Sequence, residues 1–125
     1  MSITKGLATA IYYVPDLARA KDWYAKAFGQ QPYFDEPFYV GFNIGGYELG
    51  LHPSDAENPA GAGGSVAYWR VQEVNAAVDH FVSSGATMHH PAQDVGEGIK
   101  VASVRDPFGN IIGLIENPVF VLPSE

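Results

Sequence analysis

The feature that most constrains this chain is that it is written twice. TAIYYVPDLARAKDWY, from Thr9, matches VAYWRVQEVNAAVDHF, from Val66, at an offset of 57, with Ala10, Val14, Ala20 and Asp22 meeting identical residues. GGYELGLHPS, from Gly45, matches FGNIIGLIEN, from Phe108, at an offset of 63, with Gly46, Gly50 and Leu51 meeting Gly109, Gly113 and Leu114. Two matches in the same order at nearly the same offset point to a duplicated unit. A chain of 125 residues then holds two copies of one motif and must bury both against something.

Each copy reads alike. A strand rich in β-branched and aromatic residues comes first, Leu7–Val14 or Ser65–Val71. A helix follows. Asp16 is its N-cap in the first copy, and Leu17, Ala20, Tyr24 and Phe28 recur at helical spacing before Gly29. Val74, Ala77, Val78 and Phe81 repeat the pattern before Gly85. Three short strands complete each copy: Tyr33–Phe34, Tyr39–Ile44 and Tyr47–His52, then Thr87–Met88, Lys100–Arg105 and Asn110–Ile115. DAENPAGAGG, Asp55–Gly64, reads as the linker. The expected class is α+β, one domain of two tandem βαβββ modules (5–54 and 65–118) with a 55–64 linker.

Composition narrows the functions. The net charge of −7 argues against a nucleic-acid partner and permits a cationic ligand. No apolar run approaches a membrane span, and no signal-peptide core stands at the start. With no cysteine, there is no disulfide, thiolate metal site or cysteine nucleophile, and a cytoplasmic location is expected.

VPDLARAKDWYAKAFG and RDPFGNIIGLIE carry a resemblance. The first resembles the opening strand, helix and aromatic-Gly ending of the vicinal oxygen chelate superfamily. The second resembles that family's Asp-Pro-x-Gly-Asn turn and closing strand. The superfamily includes glyoxalase I, bleomycin-resistance proteins, fosfomycin-resistance enzymes and extradiol dioxygenases. The resemblance implies two facing curved mixed sheets around a cavity, and a homodimer. In metal-dependent members it implies one His, Gln or Glu ligand on the first and last strand of each module. Those positions map here onto Thr9, Gly50, Val66 and Gly113, with Glu48 in place of Gly50 if the register moves by two. The four give neither carboxylate nor imidazole, so no divalent metal and no cofactor is expected. The glycines either vacate ligand positions and widen the cavity, or only relieve crowding between the sheets.

Strand alternation selects the cavity wall. If Thr9 points inward, so do Ile11 and Tyr13, and in the second copy Val66, Tyr68 and Arg70. Glu48, Gly50 and His52 share one face, as do Ile111, Gly113 and Ile115. Tyr39, Gly41 and Asn43 are assigned to the inner face, as are Lys100, Ala102 and Val104. The ligand-binding set is therefore Tyr13, Tyr39, Glu48, Gly50, His52, Tyr68, Arg70 and Gly113. Arg70 needs an anion, either an internal carboxylate such as Glu48 or one carried by a ligand. His52 and Glu48 form an acid/base pair if both face the cavity; otherwise His52 ends the strand in solvent. His80 belongs to the second helix. His89 and His90, being adjacent in a strand, should point to opposite faces. The expected partner is a small molecule, aromatic or cationic. Three functional classes remain open: a metal-free binding protein, a glyoxalase-like lyase or isomerase or other enzyme of that superfamily with non-standard metal or acid/base residues, and a scaffold or regulatory domain whose cavity is merely packed.

Overall fold

The computed structural model describes residues 7–63 and 66–118. The expected strand start at Ser65, the linker end at Gly64 and the segment 119–125 lie outside them.

The observed order is β1 (Thr9–Val14), α1 (Leu17–Phe28), β2 (Phe34–Glu36), β3 (Tyr39–Ile44), β4 (Tyr47–Pro53), β5 (Ala67–Arg70), α2 (Val74–Ser83), β6 (Thr87–Gly96), β7 (Ile99–Arg105) and β8 (Ile111–Glu116). Two four-stranded sheets result, β1-β4-β3-β2 and β5-β8-β7-β6, each with one parallel pair, β1 with β4 and β5 with β8. The repeat is exact in the register of the two parallel pairs. Ile11 faces Gly50 and Tyr68 faces Gly113, so β1 maps on β5 at 57 and β4 on β8 at 63.

Local chemistry sets the helix limits. The Asp16 carboxylate accepts from the Arg19 N–H at 3.1 Å, and Gly29, at φ 68°, closes α1 in the left-handed region. In α2 the cap is Glu73, which accepts from the Asn75 and Ala76 N–H groups. Gly29 is thus the stop signal of α1, whereas α2 is capped at its end by Ser84 and Gly85 (φ 114°) stands one residue past that cap.

Tyr12, Val14, Val40, Phe42, Leu49 and Leu51 are buried on the helix side of the first sheet, and Val74, Phe81, Ala102, Val104, Ile112 and Leu114 continue the same core in the second module. The modules lock together through aromatic side chains. The Trp69 Nε1–H donates to the Tyr12 hydroxyl at 3.0 Å, and Phe28 packs edge-on against Trp69 and Phe81. Trp23 donates to the Ser84 carbonyl at 2.8 Å.

The second hub is the Asp106-Pro107-Phe108-Gly109-Asn110 turn. Buried Asp106 accepts from the Phe108 and Asn110 N–H groups, each at 2.8 Å, and from the Tyr24 hydroxyl at 2.6 Å. The Asn110 amide donates to the Tyr13 carbonyl at 2.9 Å, and its oxygen accepts from the Gly61 N–H at 2.9 Å. A turn of the second module thereby holds α1, β1 and the linker of the first. Burial beside the Asp106 charge pushes the Tyr24 phenol well above its ordinary value.

Two expectations fail here. The first strand after α2 is not Thr87–Met88 but Thr87–Gly96. The strand runs through Pro91 because β6 is an edge strand, where a missing N–H costs no ladder bond. The inner-face assignment in β7 is also one residue out of phase. Ala102 and Val104 are buried in the helix-side core, so Val101, Ser103 and Arg105 share the face of Gly113. Gly41 faces Gly50 while Ser103 faces Gly113, an offset of 62 against 63, because the β7–β8 turn is one residue longer than its counterpart.

Replacing Asp106 with Ala should cost about 3 kcal/mol, since it leaves several buried donors unpaired, and Tyr24→Phe about 1 kcal/mol. Urea unfolding should show lower midpoints at unchanged slope. The double variant should lose less than the two single losses added together.

Candidate functional site

The face of the first sheet turned away from the helices carries Thr9 and Tyr13 on β1, Tyr39, Gly41 and Asn43 on β3, and Glu48, Gly50 and His52 on β4. Its centre is Glu48. The carboxylate accepts from the Thr9 hydroxyl at 2.9 Å, from the Tyr39 hydroxyl at 3.0 Å and from the Tyr33 hydroxyl. Register explains Thr9, which stands across from Glu48 rather than from Gly50.

The glycines have a visible purpose. A Cβ at Gly50 would overlap the Tyr39 hydroxyl, and one at Gly41 would stand 2.6 Å from a Glu48 oxygen. In the second sheet a Cβ at Gly113 would lie 2.6 Å from the Tyr68 ring and 2.9 Å from the Ala67 carbonyl. The space above Gly50 and Gly113 is therefore filled by tyrosines of their own sheets, not left as a widened cavity.

Titration follows this arrangement. The Tyr33 hydroxyl is the main cause holding the Glu48 carboxyl below its usual value of 4.5; partial burial opposes it, and Thr9 and Tyr39 add to it. Burial first, then the bond to Glu48, pushes the Tyr39 phenol up to about 12. Tyr33 also rises, chiefly through the same carboxylate. All three shifts favour an ionised acid held by neutral phenols.

His52 lies in the same patch, half-buried. Its ring meets Tyr13 edge-on at 5.4 Å and Tyr39 at 6.5 Å. Its Nδ1–H donates to the Pro53 carbonyl at 2.8 Å, which leaves the lone pair of the neutral ring on Nε2. Tyr39 thus reaches both His52, with its ring, and Glu48, with its hydroxyl.

The structure brings Thr9, Tyr13, Tyr39, Glu48, Gly50 and His52 together, and separately Tyr68 and Gly113. It does not bring Arg70 to Glu48. Arg70 stands across from Ile115 on the other sheet and donates to the Asn117 carbonyl, while Glu48 is held by hydroxyls. Nor do these residues share one cavity. A cavity of about 660 Å³ at the seam between β1 and β5 is lined by Thr9, Tyr13, Val66 and Ile111 with the Glu57–Gly63 stretch of the linker, whereas Tyr68 lines a separate hollow of about 210 Å³. Tyr33 was missed by the sequence reading. The one signal for it was the aromatic crowding of YFDEPFY, in which Tyr33, Phe34 and Phe38 are exposed.

The fold that carries this patch recurs in solved structures. A profile of the Glyoxalase/Bleomycin resistance protein/Dioxygenase superfamily matches residues 6–114. The chain belongs to that superfamily. A glyoxalase-related enzyme from Fulvimarina pelagi superposes with a TM-score of 0.78 at 22% identity, covering 95% of this chain and 93% of that one. A lactoylglutathione lyase from Agrobacterium tumefaciens superposes at 0.74 and 20% identity, covering 94% and 97%. A family enzyme from Burkholderia phytofirmans PsJN superposes at 0.74 and 16% identity, covering 87% and 96%. These likenesses show the fold. No curated protein matches the chain by sequence.

The superfamily's metal does not fit the residues present. Of the positions mapped for ligands, Thr9, Gly50, Val66 and Gly113, the only oxygen donor is a hydroxyl already bonded to Glu48. Among the described residues, no three His, Asp or Glu side chains are grouped to hold an ion. Glu48 is one carboxylate, already bonded to three hydroxyls.

Because the folded pKa of Glu48 lies below its unfolded value, the cluster stabilises the fold above pH 4.5, and this contribution is lost as pH falls through the depressed folded value. Glu48→Gln should flatten that part of the acid-unfolding curve, by under about 1 kcal/mol after solvent screening. Gly50→Ala should cost about 1–3 kcal/mol and return the Tyr39 phenol toward its ordinary pKa, read by absorbance in an alkaline titration. Gly113→Ala should cost more, because a main-chain carbonyl yields less readily than a ring.

Proposed function

We propose that this superfamily member binds a small organic molecule without a metal. The observation that carries the reading is the occupation of the mapped metal region by its own side chains, with Tyr39 over Gly50 and three hydroxyls on Glu48. Such a centre offers an anion and aromatic faces instead of open coordination positions. It suits an aromatic or cationic ligand lying along the open face of the first sheet and into the seam cavity. The net charge of −7 favours the approach of a cation.

A second reading is a lyase or isomerase that uses acid/base chemistry. The pinned tautomer of His52 favours it, since Nε2 is left as a proton acceptor beside Tyr13 and Tyr39. Pairing of two copies of the chain is part of the first reading. The exposed Tyr33, Phe34 and Phe38 support it as apolar surface at the edge of the first sheet.

Two measurements test the reading. Untagged protein incubated with Ni²⁺, Zn²⁺, Mn²⁺ and Fe²⁺ and then desalted should retain no metal that depends on Glu48. One ion per chain, lost in Glu48→Gln, would overturn metal independence. A thermal-shift screen of aromatic and cationic compounds should yield a ligand that raises stability by about 2.7 kcal/mol at a hundred times its Kd. Tyr39→Ala should weaken it at least tenfold. Turnover abolished by His52→Gln with binding retained would instead establish the enzyme.

A further inference from the structure

The open face of the second sheet carries a cluster that the reading above does not use. His89 and His90 do not point to opposite faces as adjacent strand residues should. A register shift between Met88 and His90 puts a bulge in β6, with His90 across from Ser103. The imidazole centroids lie 4.1 Å apart at 66°, and His89 Nδ1 is 2.9 Å from the Ser103 hydroxyl, a buried polar group. The adjoining hollow of about 210 Å³ is lined by Tyr68, His90, Gln93 and Ser103 with three apolar residues, and among the described residues no carboxylate lines it.

Charge is uneven here. Arg105 shares this face two positions along β7, and the nearby acid on β6, Asp94, accepts from the Gly96 N–H. Partial burial first, then His90, then Arg105, hold the His89 imidazole below its usual value. The Arg105 guanidinium itself donates to the Gly109 carbonyl at 3.1 Å, so its hydrogen bonding is met by the main chain while its charge stays on this face. A bound anion would offset that charge, favour protonation of the rings and accept hydrogen bonds from donors already in place.

We infer that the hollow beside the β6 bulge binds a small oxyanion, a carboxylate or a phosphate, held by protonated His90 with the Tyr68 hydroxyl and the Gln93 amide as further donors. The module-one counterpart of this face has Gly41 for Ser103 and Asn43 for Arg105, so the site belongs to one copy of the repeat only.

The test is titration of the protein with acetate and, separately, inorganic phosphate at low salt, followed by calorimetry and by the imidazole NMR signals. Acetate carries the same charge at pH 6 and pH 8, so its pH dependence reports the protein. Saturable binding at pH 6 that weakens about tenfold or more at pH 8 is expected, because binding takes up a proton. Tighter phosphate than acetate would mark the site for phosphate, the reverse for carboxylate. His90→Gln should abolish binding while leaving the melting temperature and the His89–Ser103 contact intact; His89→Gln/His90→Gln serves as the stronger variant. No saturation by either anion at pH 6, or binding unchanged in His90→Gln, would overturn the inference. The organic ligand of the first sheet should bind His90→Gln normally, so the two readings fail independently.

Discussion

One buried carboxylate organises this molecule. Asp106 sits in a turn of the second module yet receives the Tyr24 hydroxyl from the helix of the first. Its neighbour Asn110 fastens β1 and the linker. A buried charge without partners would be costly, so these donors and the turn that supplies them depend on one another. The chain's two copies are thus joined by a polar knot as well as by the Tyr12, Phe28, Trp69 and Phe81 contacts. The open faces of both sheets depend on this joint for their placement.

Duplication left the helix sides alike and let the open sides diverge. Tyr12 and Trp69, Leu51 and Leu114, Val14 and Val71 remain apolar or aromatic pairs at matching register. On the open faces Glu48 corresponds to Ile111, Tyr13 to Arg70 and Asn43 to Arg105. One face became an acid surrounded by phenols; the other gathered the basic groups. Packing demands the same thing of both cores, whereas nothing in the fold demands the same of both open faces.

This difference also decides how much could be read from sequence. The helices, β3 and the approximate ends of most strands followed from periodicity and capping, because each depends on neighbours a few residues away. The superfamily was legible as a resemblance in VPDLARAKDWYAKAFG and RDPFGNIIGLIE. The long β6 did not, since Pro91 looks like a stop unless the strand is known to be an edge. The pairing of His89 with His90 needed the bulge, and a one-residue slip in β7 was enough to exchange its faces. The Glu48 cluster was half legible. Thr9, Tyr39 and Glu48 were singled out, but that Tyr39 lies over Gly50 and that Tyr33 folds in from before β2 are facts of three-dimensional packing.

The placement of the indoles has a practical consequence. The chain has two tryptophans, and both lie where the modules meet, Trp23 bonded to Ser84 and Trp69 to Tyr12. Intrinsic emission therefore watches the joint between the copies and is a direct optical gauge of whether they are docked. It is poorly placed to see the open faces, whose natural reporters are the phenol absorbances of Tyr33 and Tyr39 on one side and the imidazole resonances of His89 and His90 on the other.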